Sequence, residues 1–249
     1  MTAALEIAGL TKRFGDRVAV DHLDLAIPRG EFHALLGPNG AGKTTTLRIV
    51  AGITRADEGV VRVLGRDVER DADAAKRMLA FIPDEPPLYG RLRPLEYLGF
   101  VAGLWRMEGK VARRRGAELL EELGLADKRG DFVESFSRGM RQKLALAGAL
   151  IHDPAVMLLD EPLTGLDAAA ARQVKDILLA RVRAGCTVVL TTHILEVAER
   201  LAERISIIAG GRIVAQGNMA ELRARAGRGE TLEEVFLALV RDAAADAPR

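Results

Sequence analysis

Residues 37–44 read GPNGAGKT, between the apolar run EFHALL (31–36) and TTLRIVAGI (45–53), whose apolar spacing is that of a helix. Three glycines, a proline, a lysine and a threonine at a strand-to-helix junction can make a loop whose backbone comes very close to a ligand. Gly37, Gly40 and Gly42 tolerate conformations and approaches that a Cβ would forbid. Such a loop can curl its N–H groups inward at an anion, and the helix that follows adds its positive end to the same spot. The G-x-x-x-x-G-K-[ST] pattern is that of a phosphate-binding P-loop. Gly37, Pro38, Asn39, Gly40, Ala41 and Gly42 form the cradle, Lys43 reaches the β- and γ-phosphates, and the Thr44 hydroxyl goes to Mg²⁺, with Thr45 counted at the edge of the same site.

Composition limits what such a site serves. The chain has 249 residues, 49% hydrophobic and 29% charged, enough for a sizeable core in one large or two small units. Lys and Arg number 36 against 35 Asp and Glu, a formal net charge of +1. That balance gives no argument for nucleic acid, and none is expected as a partner. The run Arg113-Arg114-Arg115 reads as a solvated helix face. The single cysteine, Cys186, lies in the strand-like CTVVL and reads as a small buried hydrophobe. One cysteine allows no disulfide within the chain, which agrees with a reducing compartment. The start, MTAALEIAGL, lacks a signal-peptide pattern. The longest apolar stretches, near LALAGALI, fall well short of the ~18 residues of a spanning helix. A cytoplasmic chain is expected, with any membrane role exercised through a partner.

Strand-like runs recur outward from the loop: LEIAGL, VAVDHLDLAI, EFHALL, VVRVLG, LAFIP, VMLLD, TVVLTT, RISIIA and GRIVAQG. Several are continuously apolar, as strands covered on both faces are. Helical patterns such as KTTTLRIVAGI, DAAAARQVKDILLARVRA and ILEVAERLAER alternate with them, which predicts an α/β fold with a largely parallel core sheet. From Leu95 to Ile151 the pattern is helical without strands, an insertion between two parts of that core. The expected division is residues 1–84 and 153–220 for the core, 85–152 for the insertion and 221–249 for a C-terminal helix and tail, with the last dozen residues fraying.

Two further stretches carry chemistry. VMLLDEP is an apolar strand ending in two carboxylates. Asp160 at the tip is placed to hold Mg²⁺ opposite Thr44, and Glu161, next to the metal without ligating it, can orient and deprotonate a water. The competing reading is a surface turn, for which DEP is good chemistry. His193 follows the next apolar strand, and its tip faces the same crevice in the ordinary α/β order. A neutral imidazole there can donate to the γ-phosphate and accept from the water; otherwise it is a surface residue or helix cap.

Taken together, these motifs resemble the ATP-binding-cassette subunits of ABC transporters, over roughly residues 5 to 220. The resemblance implies a P-loop NTPase core with a mixed, largely parallel sheet, N-terminal antiparallel strands and an inserted α-helical subdomain. It implies that Phe14, in KRFGDRVAV, stacks on adenine, and that Asp160, Glu161 and His193 are the metal, catalytic and switch residues. Ser137 and Gly139, in FSRGM, match the family signature, usually Leu-Ser-Gly-Gly-Gln, and open a helix. A hydroxyl, a bare N–H and a helix N-terminus make a second anion site, which in that family faces the γ-phosphate held by another subunit. Without the resemblance the stretch reads as a helix N-cap. Leu166 and Asp167 match the dimer-contact loop.

The implied cofactors are ATP and Mg²⁺. The implied partners are a second ATP-binding subunit, the same chain or a similar one, and a separate transmembrane permease that would hold this chain at the inner face of the membrane. TLEEVFLALV resembles the ends of single-cassette subunits that pair with exporter-like permeases. The coupling surface is expected near PDEPPLYGRLRP (83–94), where Leu88 and Tyr89 either line a groove for a partner helix or pack on their own domain.

Two positions depart from the family pattern. Asp84 stands where a γ-phosphate-sensing glutamine is usual and either joins the metal through water or weakens the sensor. Arg138 and Met140 replace a glycine and a glutamine of the signature. A soluble cassette ATPase acting on ribosomes or DNA is the alternative, though such proteins usually carry two cassettes or a long coiled coil. A GTPase is disfavoured because Asn39 and Asn218, the only asparagines, begin no Asn-Lys-x-Asp stretch.

Overall fold

The computed structural model describes residues 3–227 and 231–245. Two strands open the chain, β1 (Ala3–Phe14) and β2 (Arg17–Pro28), joined by a tight Gly15-Asp16 turn. They pair antiparallel, and β1 pairs on its other side with β4 (Glu58–Val63), which carries the two-residue β5 (Arg66–Asp67). This is the antiparallel sheet. In β2, Leu23, Leu25 and Ile27 turn to the buried face and alternate with exposed Asp24 and Ala26, the period of a half-buried strand.

The second sheet holds the P-loop. Its order is β10-β9-β3-β8-β7-β6, where β3 is Phe32–Leu36, β6 Leu79–Ile82, β7 Val156–Asp160, β8 Thr187–Thr191, β9 Arg204–Ala209 and β10 Arg212–Gly217. All neighbours are parallel except β10, which runs antiparallel to β9 at one edge. Every residue of β3, β7 and β8 is buried, so the continuous apolar runs of the sequence are strands covered on both sides. Parallelism puts the C-terminal ends of β3, β6, β7 and β8 along one edge, and the site is built there.

Helix α1 (Lys43–Val50) follows β3, and the short α2 (Ala72–Met78) precedes β6. The insertion between β6 and β7 is helical: α3 (Pro94–Leu104), α4 (Gly109–Glu122) and α5 (Arg138–Leu150), with two single 3-10 turns between α4 and α5. It owns no separate core. Leu98, Leu119, Leu120 and Leu144 join one cluster with Ile82, Leu159 and Leu190 of the sheet and Ile177 of α6 (Ala168–Arg183). The other sheet face packs on α1 and on the antiparallel sheet, through Leu47, Val50, Leu23 and Val63.

After β8 come α7 (Leu195–Leu201), then α8 (Met219–Ala226) and α9 (Leu232–Ala245). Leu232, Val235 and Leu239 of α9 close a third cluster with Leu36, Ile205 and Ile207. Residues 239–245, read from the sequence as a fraying tail, are therefore helical. Leu239 anchors the start of this stretch in the third cluster, and the charged and alanine-rich residues after it carry no apolar period that would reveal a helix. Residues 246–249 of that tail lie outside the described residues. Among the described residues no helix is long and apolar enough to cross a membrane.

Candidate functional site: a phosphate cradle at the strand tips

The loop from Gly37 to Gly42 leaves β3 and enters α1. Glycine is required at both ends of it. A Cβ on Gly37 would lie 2.3 Å from the Ile208 carbonyl, and one on Gly42 would lie 2.5 Å from the Ala19 carbonyl, where φ is +109°. The neighbouring strands leave no room for a side chain, so the backbone itself forms the wall. A pocket of about 500 Å³ opens above it. It is lined by Asn39 to Thr45, by Phe14, Arg17 and Ala19, and by Asp84, Asp160 and Glu161 from the other side.

Lys43 is the first residue of α1. Its ammonium donates to the carbonyls of Gly37 at 2.7 Å and Pro38 at 3.2 Å, so it lies over the cradle. Burial lowers its pKa, while Glu161 and Asp160 act in the opposite direction. The Thr44 hydroxyl donates to Asp160 Oδ2 at 2.8 Å, across 116 residues of sequence. The other Asp160 oxygen accepts from the hydroxyl of Thr191, the last residue of β8. Asp160 is 4% exposed, so both oxygens are fixed in a protected place.

Glu161 is bent away from Asp160. Its φ is +51°, the left-handed region that a non-glycine residue rarely adopts. The bend is held by the Glu161 N–H, which reaches the Thr191 carbonyl and hydroxyl, both at 3.2 Å. Its carboxylate meets His193 Nδ1 at 2.9 Å. The carboxylate is 17% exposed and the imidazole 64% exposed, so this pair faces open solvent from one side. DEP is thus no ordinary surface turn: two adjacent carboxylates are aimed in different directions by one threonine. His193, expected from the sequence at this crevice, lies at the Glu161 carboxylate.

Phe14 ends β1 at the hairpin and is 54% exposed on the pocket wall, with Lys12 Nζ 5.4 Å from its ring centroid. The ring is therefore exposed at the pocket mouth and is not core. Arg17 donates to the Gly40 carbonyl at 3.3 Å and braces the loop. Arg17, Ala19 and Thr191 escaped the sequence reading. Their signal is positional only: they neighbour a motif in space through strand pairing.

Ser137 and Gly139 are not part of this pocket. Ser137 is the N-cap of α5, its hydroxyl accepting from the Met140 N–H at 3.3 Å. Gly139 lies against the loop after Glu161, since a Cβ there would meet Leu166 at 3.3 Å. Asp167 caps α6, accepting from the Ala170 N–H at 2.8 Å. Asp84 lines the pocket, and Arg138 donates to it at 3.4 Å.

The donor set suits Mg²⁺. Among the described residues no group of three or more His, Cys, Asp and Glu side chains is gathered to cage a metal. A hydroxyl and one well-held carboxylate oxygen beside a phosphate cradle are what a small hard cation uses when phosphates and water complete its shell.

Elsewhere, an apolar groove of about 410 Å³ runs between core and insertion, lined among others by Ile53, Phe81, Pro86, Pro87, Tyr97 and Trp105. Pro86 and Pro87 line this groove, whereas Leu88 and Tyr89 do not. Leu88 packs on its own core, and Tyr89 is exposed, edge-on to Phe100 at 5.0 Å. Cys186 is half-buried, and burial pushes its thiol up to about 11, an unreactive side chain. Ser206, His33 and Glu31 stand in line at 2.9 Å spacings, but all three are buried in the sheet and out of reach of any substrate.

Comparison with known proteins agrees with this geometry. A family model described as ABC transporter matches residues 20–164. The daunorubicin resistance ATP-binding protein DrrA3 of Streptomyces coeruleorubidus is 41% identical over 233 residues, 94% of this chain and 73% of that protein. A solved ATP-binding subunit of an ABC transporter matches with a TM-score of 0.89 at 31% identity, over 95% of this chain and 99% of the other. The dimeric ATP-binding cassette MJ0796, in a post-hydrolysis state bound to ADP and Pi, matches with a TM-score of 0.79 at 27% identity, over 86% of this chain and 98% of the other.

Proposed function

The chain belongs to the ABC transporter family and is the ATPase subunit of such a transporter, and on that premise we propose roles for its parts. The observation that carries them is the constellation at the strand tips: Thr44 on Asp160 at 2.8 Å, with Glu161 turned aside onto His193 at 2.9 Å. One carboxylate is reserved for the cation and the other is free to take a proton.

ATP lies with its adenine on Phe14 and its phosphates on residues 37–45. Thr44 and Asp160 would hold Mg²⁺, which offsets phosphate charge when bound. Lys43 neutralises the β- and γ-phosphates, so its charge serves binding and hydrolysis alike. Glu161 accepts a proton from the attacking water. His193 orients the Glu161 carboxylate, and its exposure supports contact with the γ-phosphate once the site is covered.

The cover comes from a second subunit. Ser137 and Gly139 open α5 outside their own chain's pocket, and a hydroxyl with free helix N–H groups suits the γ-phosphate of an opposing copy. MJ0796, whose dimer is solved, supports a paired arrangement. The remaining partner is a permease, which would keep this chain at the cytoplasmic face of the membrane. The groove between core and insertion supports docking of an apolar helix face, and exposed Ile53, Phe100 and Leu104 extend the apolar area around it. The resistance function in the name of DrrA3 favours an exporter.

The test uses Glu161→Gln, which should bind ATP without consuming it and sediment as a dimer with ATP but not with ADP. Adding Ser137→Arg should abolish the dimer by filling the second phosphate site. A variant that binds ATP and stays monomeric even when a co-purified permease is present refutes the shared site.

A further inference from the structure

Asp84 and Arg138, two residues at which the chain departs from the family pattern, touch each other. Arg138 opens α5. Its aliphatic stem crosses Gly165, in the loop that leaves Glu161: a Cβ on Gly165 would meet Arg138 Cδ at 2.7 Å and Nε at 3.0 Å. Gly165 has φ +78°, so both its conformation and its bareness serve this crossing. At the far end, Arg138 Nη2 donates to Asp84 Oδ1 at 3.4 Å. One side chain thus spans from the first turn of α5, over the loop after β7, to the loop after β6. Asp84 in turn lines the nucleotide pocket with Thr44, Asp160 and Glu161.

We propose that Arg138 is a positioning residue for Asp84, holding its carboxylate toward the insertion in competition with metal-bound nucleotide. The inference rests on the reading of Asp84 as a water-mediated contact of Mg²⁺. The side chains of Arg138 and Asp84 are 56% and 47% exposed, so their pair is weak. A divalent cation therefore outbids a single guanidinium for the same carboxylate. When Asp84 turns to the metal, Arg138 loses its anchor beyond Gly165, and helices α3–α5 lose one tie to the loop after β6. Loading of the pocket and freedom of the insertion are linked through this one pair. A neutral glutamine at position 84 would make a much weaker bond to Arg138 and leave no such competition.

The experiment is a Mg²⁺ titration of ATP binding, read by calorimetry in the non-hydrolysing Glu161→Gln background. Arg138→Gln should lower the Mg²⁺ concentration for half-maximal binding about two- to fivefold, the range of an exposed ion pair. In Asp84→Asn protein the same Arg138→Gln change should do nothing. Arg138→Lys, which keeps the charge, should restore most of the Mg²⁺ requirement. A general loss of positive charge would act equally in both backgrounds, so equal shifts overturn the proposal, as does no shift in either. If Asp84→Asn alone moves the Mg²⁺ dependence while Arg138→Gln does not, the positioning role fails and the metal contact of Asp84 stands. If Asp84→Asn alone leaves the dependence unchanged, the metal contact fails and the inference falls with it.

Discussion

Replacing Glu161 by Gln removes a proton acceptor and keeps the shape around it. The backbone bend at φ +51° is held by the Glu161 N–H on Thr191, which the change does not touch. Lys43, Thr44, Asp160 and Phe14 keep their places, so ATP affinity should stay within about threefold of wild type, under ~0.7 kcal/mol. Hydrolysis should fall, because general-base catalysis is worth about 10²–10⁴-fold. At ~1.36 kcal/mol per tenfold that is about 3–5 kcal/mol of barrier. His193, 2.9 Å away and 64% exposed, remains as a residual acceptor, so the loss should stop short of the upper end. Glu161→Gly separates catalysis from strain. It removes the same acceptor but relieves a left-handed residue, worth about 1–2 kcal/mol, less the extra entropy of an unfolded glycine. That variant should melt at or above the wild-type temperature while hydrolysing no faster than the Gln variant. Steady-state phosphate release, equilibrium ATP titration and a melting curve measure the three quantities. Wild-type turnover by Glu161→Gln refutes the catalytic role. A fall in its ATP affinity beyond about tenfold (~1.4 kcal/mol) refutes the division of labour between the two carboxylates.

Phe14→Ala should cost about 1–3 kcal/mol of ATP affinity, whereas Phe14→Trp should bind normally and melt normally, because the ring is 54% exposed and a larger one meets no core; a large drop in melting temperature for Trp would contradict the stacking placement. Thr191→Val keeps the volume but strips one Asp160 oxygen and the Glu161 N–H of a partner, so it should raise the Mg²⁺ needed for half-maximal turnover and lose about 1–3 kcal/mol of stability; unchanged Mg²⁺ dependence would show that Thr191 does not organise the metal side. His152 stacks on Trp105 with ring centroids 4.1 Å apart, and burial lowers its pKa from the ordinary 6.5. The unfolded chain then binds the proton that the folded chain refuses, so this site costs stability as pH falls below 6.5 and nothing above it. His152→Phe, which keeps a ring against Trp105, should flatten the acid limb of the melting temperature below that pH, and an identical acid limb in both proteins would remove His152 from it.

Local chemistry was readable from the chain itself. Gly37 to Thr44 announce a phosphate cradle because a close backbone approach needs glycine, and an ammonium and a hydroxyl need fixed offsets from it. Nine strand-like runs are strands, since uninterrupted apolar residues bounded by turn formers have few other uses. The two-residue β5 and the short α2 gave no such signal, being too brief for a period to show. Asp160 and Glu161 were legible as a pair at a strand end with separate directions, but the left-handed φ that separates them was not, because at a glutamate it is imposed by what holds it. What only the tertiary structure decided is the order of the strands. The runs that become β3, β7 and β8 are all continuously apolar and buried on both faces, so no alternation distinguishes one from another or selects its neighbour. Packing inserts β8 between β3 and β7, which brings Thr191 onto Asp160 and His193 onto Glu161, and swings α5 until Arg138 reaches Asp84. Sequence pattern records which face of an element is apolar; which element covers that face depends on the fit of side chains that are distant in the chain, and the site is assembled from those fits.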